Sequence, residues 1–136
     1  MPLEEMKNKV CIITGGAGSI GLASAKRMYD AGALIMLVDL NEDNLTKKKA
    51  DFADQHRVSI CTADVSDRAE TKNYIAKTVN KWGKLDVLFS NAGFSGTSAP
   101  TTDYPEDLFD KVMAVNVRGS FLACKYALPE MNDGGS

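Results

Sequence analysis

Apolar residues fall into four short, nearly continuous runs separated by longer stretches of mixed polarity. Lys9–Thr14, Leu34–Val38 (closing at Asp39), Val58–Ala63 and Leu85–Ser90 read as strands, and their near-continuous apolar character suits strands buried on both faces, as in parallel sheets. The stretches between them carry helical spacing. Ile20, Leu22, Ala25 and Met28 mark a first helix that Gly32 is placed to end. Asn41 can cap a second, whose Thr46–Lys49 run is its solvated face. Asp67 and Glu70 have capping-box spacing and open a third. There Ile75, Val79 and Trp82 share one buried face before Gly83 stops the helix. Leu108, Val112 and Val115 begin a fourth, continuing to Ala127 with Pro129 near its end, and Met131–Ser136 reads as a polar tail.

Strands alternating with helices predict an α/β fold, a doubly wound parallel sheet with helices on both faces and right-handed crossovers. The 136 residues, without an internal linker, predict one domain over 1–136. A formal charge of -2 argues against nucleic acid or a membrane surface as partner. No apolar run approaches the roughly 18 residues that span a bilayer, and Met1–Glu5 has no signal-peptide character, so the expected location is cytoplasmic. Cys11, Cys61 and Cys124 are scattered and read as reduced, buried thiols. One histidine, His56 in a polar stretch, cannot make a zinc site.

The candidate chemistry gathers at the ends of the strands. Thr14–Gly21 reads T-G-G-A-G-S-I-G between the first strand and first helix, where Gly16, Gly18 and Gly21 fit G-x-G-x-x-G. Glycines let the backbone approach a pyrophosphate, and the helix behind them aims N–H groups and a positive dipole end at it. Asp39 ends the second strand, where a carboxylate accepts from the ribose hydroxyls of NAD and repels the 2′-phosphate of NADP. Leu40, Asn41 and Glu42 follow without a cation, so NAD is favoured over NADP. Asp64 lies just past the third strand and Asn91 past the fourth. In open α/β sheets ligands bind beyond the carboxyl ends of the strands.

These motifs together resemble the N-terminal half of a short-chain dehydrogenase/reductase, from about Lys9 to the last residue. Thr14, Gly15 and Gly21 match its T-G-x-x-x-G-x-G loop, with Ser19 in place of the middle glycine. Asp64-Val65 resembles its acidic–apolar pair at the adenine ring. Ser90-Asn91-Ala92-Gly93 resembles its N-N-A-G element with Ser90 for the first Asn, and Asn116 matches the asparagine of its Asn-Ser-Tyr-Lys catalytic set. The resemblance implies a Rossmann-type sheet in strand order 3-2-1-4. It also implies NAD-dependent hydride transfer between nicotinamide and a secondary alcohol or carbonyl substrate. Gly15, Gly18, Ser19, Ile20 and Gly21 would hold the pyrophosphate, Asp39 the ribose, Asp64 and Val65 the adenine, and Asn91, Ala92 and Gly93 the cofactor floor. Asn116 would hold a helix distortion and a water of the proton relay.

The family's Tyr-x-x-x-Lys is not found: Tyr29, Tyr74, Tyr104 and Tyr126 all lack a lysine four residues on. The expectation is therefore a piece of a longer protein, ending before a fifth strand and inactive alone, with the Leu85–Phe89 edge bare. Family members commonly pair through their fourth and fifth helices, which makes Leu108–Ala127 a dimer-face candidate and a homodimer or homotetramer the expected full-length assembly. An inert dinucleotide-binding or interaction module is the alternative. A methyltransferase using S-adenosylmethionine is a third reading, against which the Thr14 start and Asn91-Ala92-Gly93 speak.

Overall fold

Strand β1 (Val10–Thr14) is buried along its whole length, as its unbroken apolar run requires. A computed structural model describes residues 4–136. Helix α1 (Ser19–Asp30), β2 (Leu34–Asp39), α2 (Glu42–Lys49), β3 (Val58–Thr62), α3 (Arg68–Trp82) and β4 (Val87–Phe89) follow in order. The last helical stretch comprises α4 (Glu106–Met113), a π turn (Ala114–Arg118) and α5 (Gly119–Ala127). The strands form one parallel sheet in the order β3-β2-β1-β4.

Register keeps the carboxyl ends nearly level: Thr14 pairs with Val38, and Asp39 with Thr62. Alternate residues of each strand point to opposite faces. Cys11, Ile13, Ile35 and Leu37 therefore pack with Ala25 of α1 and Leu45 of α2. Ile12, Met36 and Val38 pack with Tyr74 and Ile75 of α3 and Ala127 of α5. Each such fully buried aliphatic side chain contributes roughly 1.5–3 kcal/mol. The helix signals read from the sequence operate as caps. Asn41 accepts from the Asn44 N–H at 2.9 Å, Asp67 accepts from the Glu70 N–H at 2.9 Å, and Gly83 ends α3 at φ 77°.

Several expectations are corrected. The expected single helix from Leu108 to Ala127 is interrupted by the π turn. Its axis is pinned twice: Asn116 is bonded to the backbone of Phe94, and a Cβ on Gly119 would meet Val65 at 2.9 Å. The wider turn lets both contacts form. Strand β4 is shorter than Leu85–Ser90, and its outer edge is not bare. Met131–Ser136 is no free tail, because extended backbone beside an open edge satisfies the edge's N–H and C=O groups. The Asn132 N–H donates to Leu85 O at 3.0 Å, the Ser136 N–H to Asp86 O at 2.9 Å, and the Leu88 N–H to Ser136 O at 2.9 Å. Ile20 does not join the core but stands 68% exposed at the start of α1, and Cys124 is exposed while Cys11 and Cys61 are buried. The buried face of α3 is centred on Thr71, Tyr74, Ile75 and Thr78, with Val79 and Trp82 only partly covered. Among the described residues no helix is long and apolar enough to cross a membrane.

Asp86 fixes where β1 begins. Its buried carboxylate accepts the Val10 N–H at 2.9 Å and the Asn132 amide at 3.0 Å, and lies 3.2 Å from Lys84 Nζ. Burial pushes this carboxyl up, but those three donors together hold it below the ordinary aspartate value. A depressed carboxyl contributes stability that is present above the unfolded pKa of about 3.9 and is lost as pH falls through the folded value. Asp86→Ala strands the Val10 N–H and should cost about 3 kcal/mol in urea unfolding at neutral pH. The difference between variant and wild type should shrink below about pH 4; an equal difference at all pH values would contradict this role.

Candidate functional site

The glycine loop owes its shape to what its backbone touches. Gly15 takes φ 66°, a conformation that strains any residue with a Cβ. The Gly16 N–H donates to Val38 O at 3.0 Å, the Ala17 N–H to Asp39 Oδ2 at 3.0 Å, and the Gly18 N–H to Gly15 O at 3.1 Å. Helix α1 then starts at Ser19, with Gly18 at its N-cap position offering no side-chain cap. Ser19, which stands where the family pattern has glycine, opens α1 without a positive φ, so its side chain costs no backbone strain there.

Two glycines are required by the protein itself. A Cβ on Gly21 would fall 2.2 Å from Gly15 O, and one on Gly15 would fall 2.9 Å from Asn91 Nδ2. Two others are not. A Cβ on Gly18 would meet only Gly15 O, at 3.3 Å, and one on Gly93 nothing nearer than 3.6 Å. Neither position is enforced as strongly by its neighbours as Gly15 and Gly21 are.

Strand tips β1 and β4 are stitched by Thr14 and Asn91. Thr14 Oγ1 accepts the N–H groups of Asn91 and Ala92 at 3.0 and 3.1 Å, and Asn91 Nδ2 donates to Thr14 O at 3.1 Å. Ser90 bonds to Ser120 on α5 at 3.1 Å, so the position departing from N-N-A-G ties β4 to the helix behind it. Asp39 also accepts the Leu40 N–H through Oδ1 at 2.8 Å. Asp64 accepts the Ser66 N–H at 2.9 Å and the Ser66 hydroxyl at 2.6 Å, both on Oδ1. Glu70 reaches back past its own helix cap to the Asp64 N–H.

Gly15, Gly18, Ser19, Ile20, Gly21, Asp39, Asp64, Val65, Asn91, Ala92 and Gly93 line one cleft of about 520 Å³ beyond the strand ends. Asn116 does not line it. Its Oδ1 accepts the Phe94 N–H at 2.7 Å and its Nδ2 donates to Phe94 O at 2.9 Å, fixing the loop that walls the cleft. Sequence reasoning missed Leu40, Ala63, Phe94, Lys111 and Val115 on the lining. Leu40 was findable as the residue directly after the acidic strand end, and its 68% exposure at the rim matches that of Ile20 opposite. Lys111 and Val115 are four apart on one helix face, a signal absorbed into the core reading. The charged side chains on the lining are Asp39, Asp64 and Lys111, with no histidine, tyrosine or cysteine among them. The cleft can therefore hold and orient a polar ligand.

The two kinds of glycine should separate on substitution. Gly21→Ala forces the loop off Gly15 and should cost about 2–3 kcal/mol in denaturant unfolding. Gly18→Ala should cost under about 1 kcal/mol. Equal losses would contradict the division.

The short chain dehydrogenase family matches residues 9–136. Levodione reductase of Leifsonia aquatica is 36% identical over 138 residues, covering 99% of this chain and 52% of that protein. A glucose/ribitol dehydrogenase structure from Brucella melitensis superposes with a TM-score of 0.94 at 27% identity, over 99% of this chain and 56% of that one. A structure of NAD+-bound xylitol dehydrogenase superposes with a TM-score of 0.85 at 36% identity, over 93% of this chain and 49% of that one. The chain spans about half the length of the curated relatives it matches. Family match and superposition run over the same residues as the strand-end motifs, and the chain belongs to the short-chain dehydrogenase family.

Proposed function

We propose that this chain binds NAD in the cleft and is the cofactor-holding part of an oxidoreductase acting on a secondary alcohol or its carbonyl counterpart. The observation that carries the reading is the convergence of four strand ends on one cleft, whose lining includes the glycines Gly15, Gly18, Gly21 and Gly93. The uncapped start of α1 offers the N–H groups of Ser19 and Ile20 to a diphosphate, and Gly18 lets it approach. Asp39 spends one lone pair of each oxygen on the Ala17 and Leu40 N–H groups, and has acceptor capacity left for ribose hydroxyls. Asp64, Val65 and Leu40 frame the adenine, and Asn91, Ala92 and Gly93 form the floor. When bound, nicotinamide supplies the hydride chemistry. The chain's own residues bind and orient, and Asn116 keeps the Phe94 loop in place. Proton transfer belongs to a tyrosine–lysine pair that this sequence does not contain, so the 136 residues bind without turnover.

Preference for NAD over NADP follows from Asp39. A 2′-phosphate about 4 Å from its carboxylate meets a repulsion of roughly 1–4 kcal/mol between water-like and surface dielectrics, with Leu40, Asn41 and Glu42 offering no cation. The bound NAD+ of the xylitol dehydrogenase relative supports the same choice.

The outer face of the α4–α5 stretch supports self-association of the whole protein. Phe109, Met113, Val117 and Phe121 are each 41–59% exposed at four-residue spacing. In a regular helix such a row drifts round the axis, and the intervening π turn counters the drift. Two antiparallel copies would bury this exposed row against itself. Sedimentation at twice the chain mass supports this pairing, and a monomer at high concentration speaks against it.

Calorimetric titration tests the cofactor reading. NADH should bind at least about fivefold tighter than NADPH, and Asp39→Asn should narrow the gap. NADPH binding as tightly as NADH would overturn the preference. Binding of S-adenosylmethionine without NADH would overturn the nicotinamide reading of the cleft.

A further inference from the structure

Lys111 brings the one positive side chain to a cleft whose other charged side chains, Asp39 and Asp64, are acidic. It stands one helical turn before Val115, on the α4 face that borders the same cleft. Asp107, four residues earlier, has the spacing for an intrahelical ion pair with it. Among the described residues, however, Lys111 makes no ion pair. Its ammonium lies instead 4.9 Å from the centroid of the Phe94 ring.

That ring is a fixed perch. Both backbone polar groups of Phe94 are held by the Asn116 side chain, at 2.7 and 2.9 Å. The lysine on it is held far less firmly, since a cation–π contact at an exposed site is weaker than a charge-assisted hydrogen bond to a phosphate oxygen. The cleft therefore holds an uncommitted cation on a long flexible stem, opposite a helix start that also favours negative charge.

We propose that Lys111 is a dinucleotide-holding residue, whose ammonium moves from the Phe94 ring to the diphosphate and closes the cleft from the α4 side. The inference rests on the dinucleotide reading of the cleft and names a residue within it. The diphosphate is the negatively charged part of NAD, so it is the group a lone ammonium would meet. With Asp39 and Asp64 on the lining, Lys111 and the α1 start offset the repulsion that a doubly negative ligand would otherwise face.

NADH binding to the 136-residue chain, followed by the nicotinamide fluorescence, tests this with Lys111→Ala and Lys111→Arg. Lys111→Ala should weaken binding about tenfold, while Lys111→Arg should stay within about twofold of wild type, because either cation can meet a phosphate. Raising the salt concentration should weaken wild-type binding more steeply than that of Lys111→Ala, since the variant has one charge contact fewer to screen. Lys111→Ala binding NADH as tightly as wild type would overturn the inference and leave the dinucleotide reading intact. Equal losses in both variants, with an unchanged salt dependence, would also overturn it, because the side chain would then act through shape. A wild-type chain that binds no NADH would take down the dinucleotide reading and this inference with it.

Discussion

The Thr14 hydroxyl, at the carboxyl tip of β1, receives the N–H groups that open the loop after β4. Thr14 is 1% exposed, so these bonds form away from competing water. They bring Asn91 against the glycine loop, and that proximity sets the rest of the site. Asn91 Nδ2 lies where a Cβ of Gly15 or of Gly21 would have to go. The close approach of the two strand tips is thus one constraint on both glycines, beside the φ of 66° at Gly15 and the Gly15 carbonyl 2.2 Å from a Cβ on Gly21. Once they are so held, the start of α1 faces the Asn91–Phe94 segment across the cleft.

Carboxylates in this chain build scaffold as well as charge. Asp86 anchors the start of β1, Asp39 anchors the glycine loop through Ala17, and Asp64 folds the turn into α3 through Ser66. The two at the cleft still present acceptor capacity outward, because a carboxylate oxygen can take more than one donor. A residue of this kind couples stability to recognition: replacing it loosens the loop that it was meant to expose. Phe94 has a similar double duty, its backbone clamped by Asn116 while its ring supports Lys111.

The parallel sheet was legible because apolar runs alternate with stretches of helical spacing, several of them opened by a recognisable cap, whereas the strand order came from the family resemblance alone. The cleft lining was legible at strand ends, where glycines, Asp39, Asp64 and Asn91 stand out against apolar neighbours. What escaped had no local signal. The helix distortion that the resemblance attached to Asn116 is present as the π turn, but its contacts with Phe94 and the close packing of Gly119 on Val65 are distant in sequence and had no local signal. Ile20 has helical core spacing, yet the sheet ends beneath it and leaves it at the rim. Met131–Ser136 is polar enough to read as a tail, and its pairing with β4 depends on an edge whose position only the assembled sheet defines. Tyr74 is fully buried, its hydroxyl without a hydrogen-bond partner among the described residues, and burial pushes its pKa up to about 12.

Backbone amide shifts of the isotopically labelled chain, recorded with and without NADH, test directly whether four strand tips share one ligand. Perturbations should concentrate in Gly15–Gly21, Asp39–Leu40, Asp64–Val65 and Asn91–Phe94, which lie far apart in sequence and meet at the cleft. Shifts confined to one of these segments, or gathered on the outer faces of α3 and α5, would contradict a shared ligand.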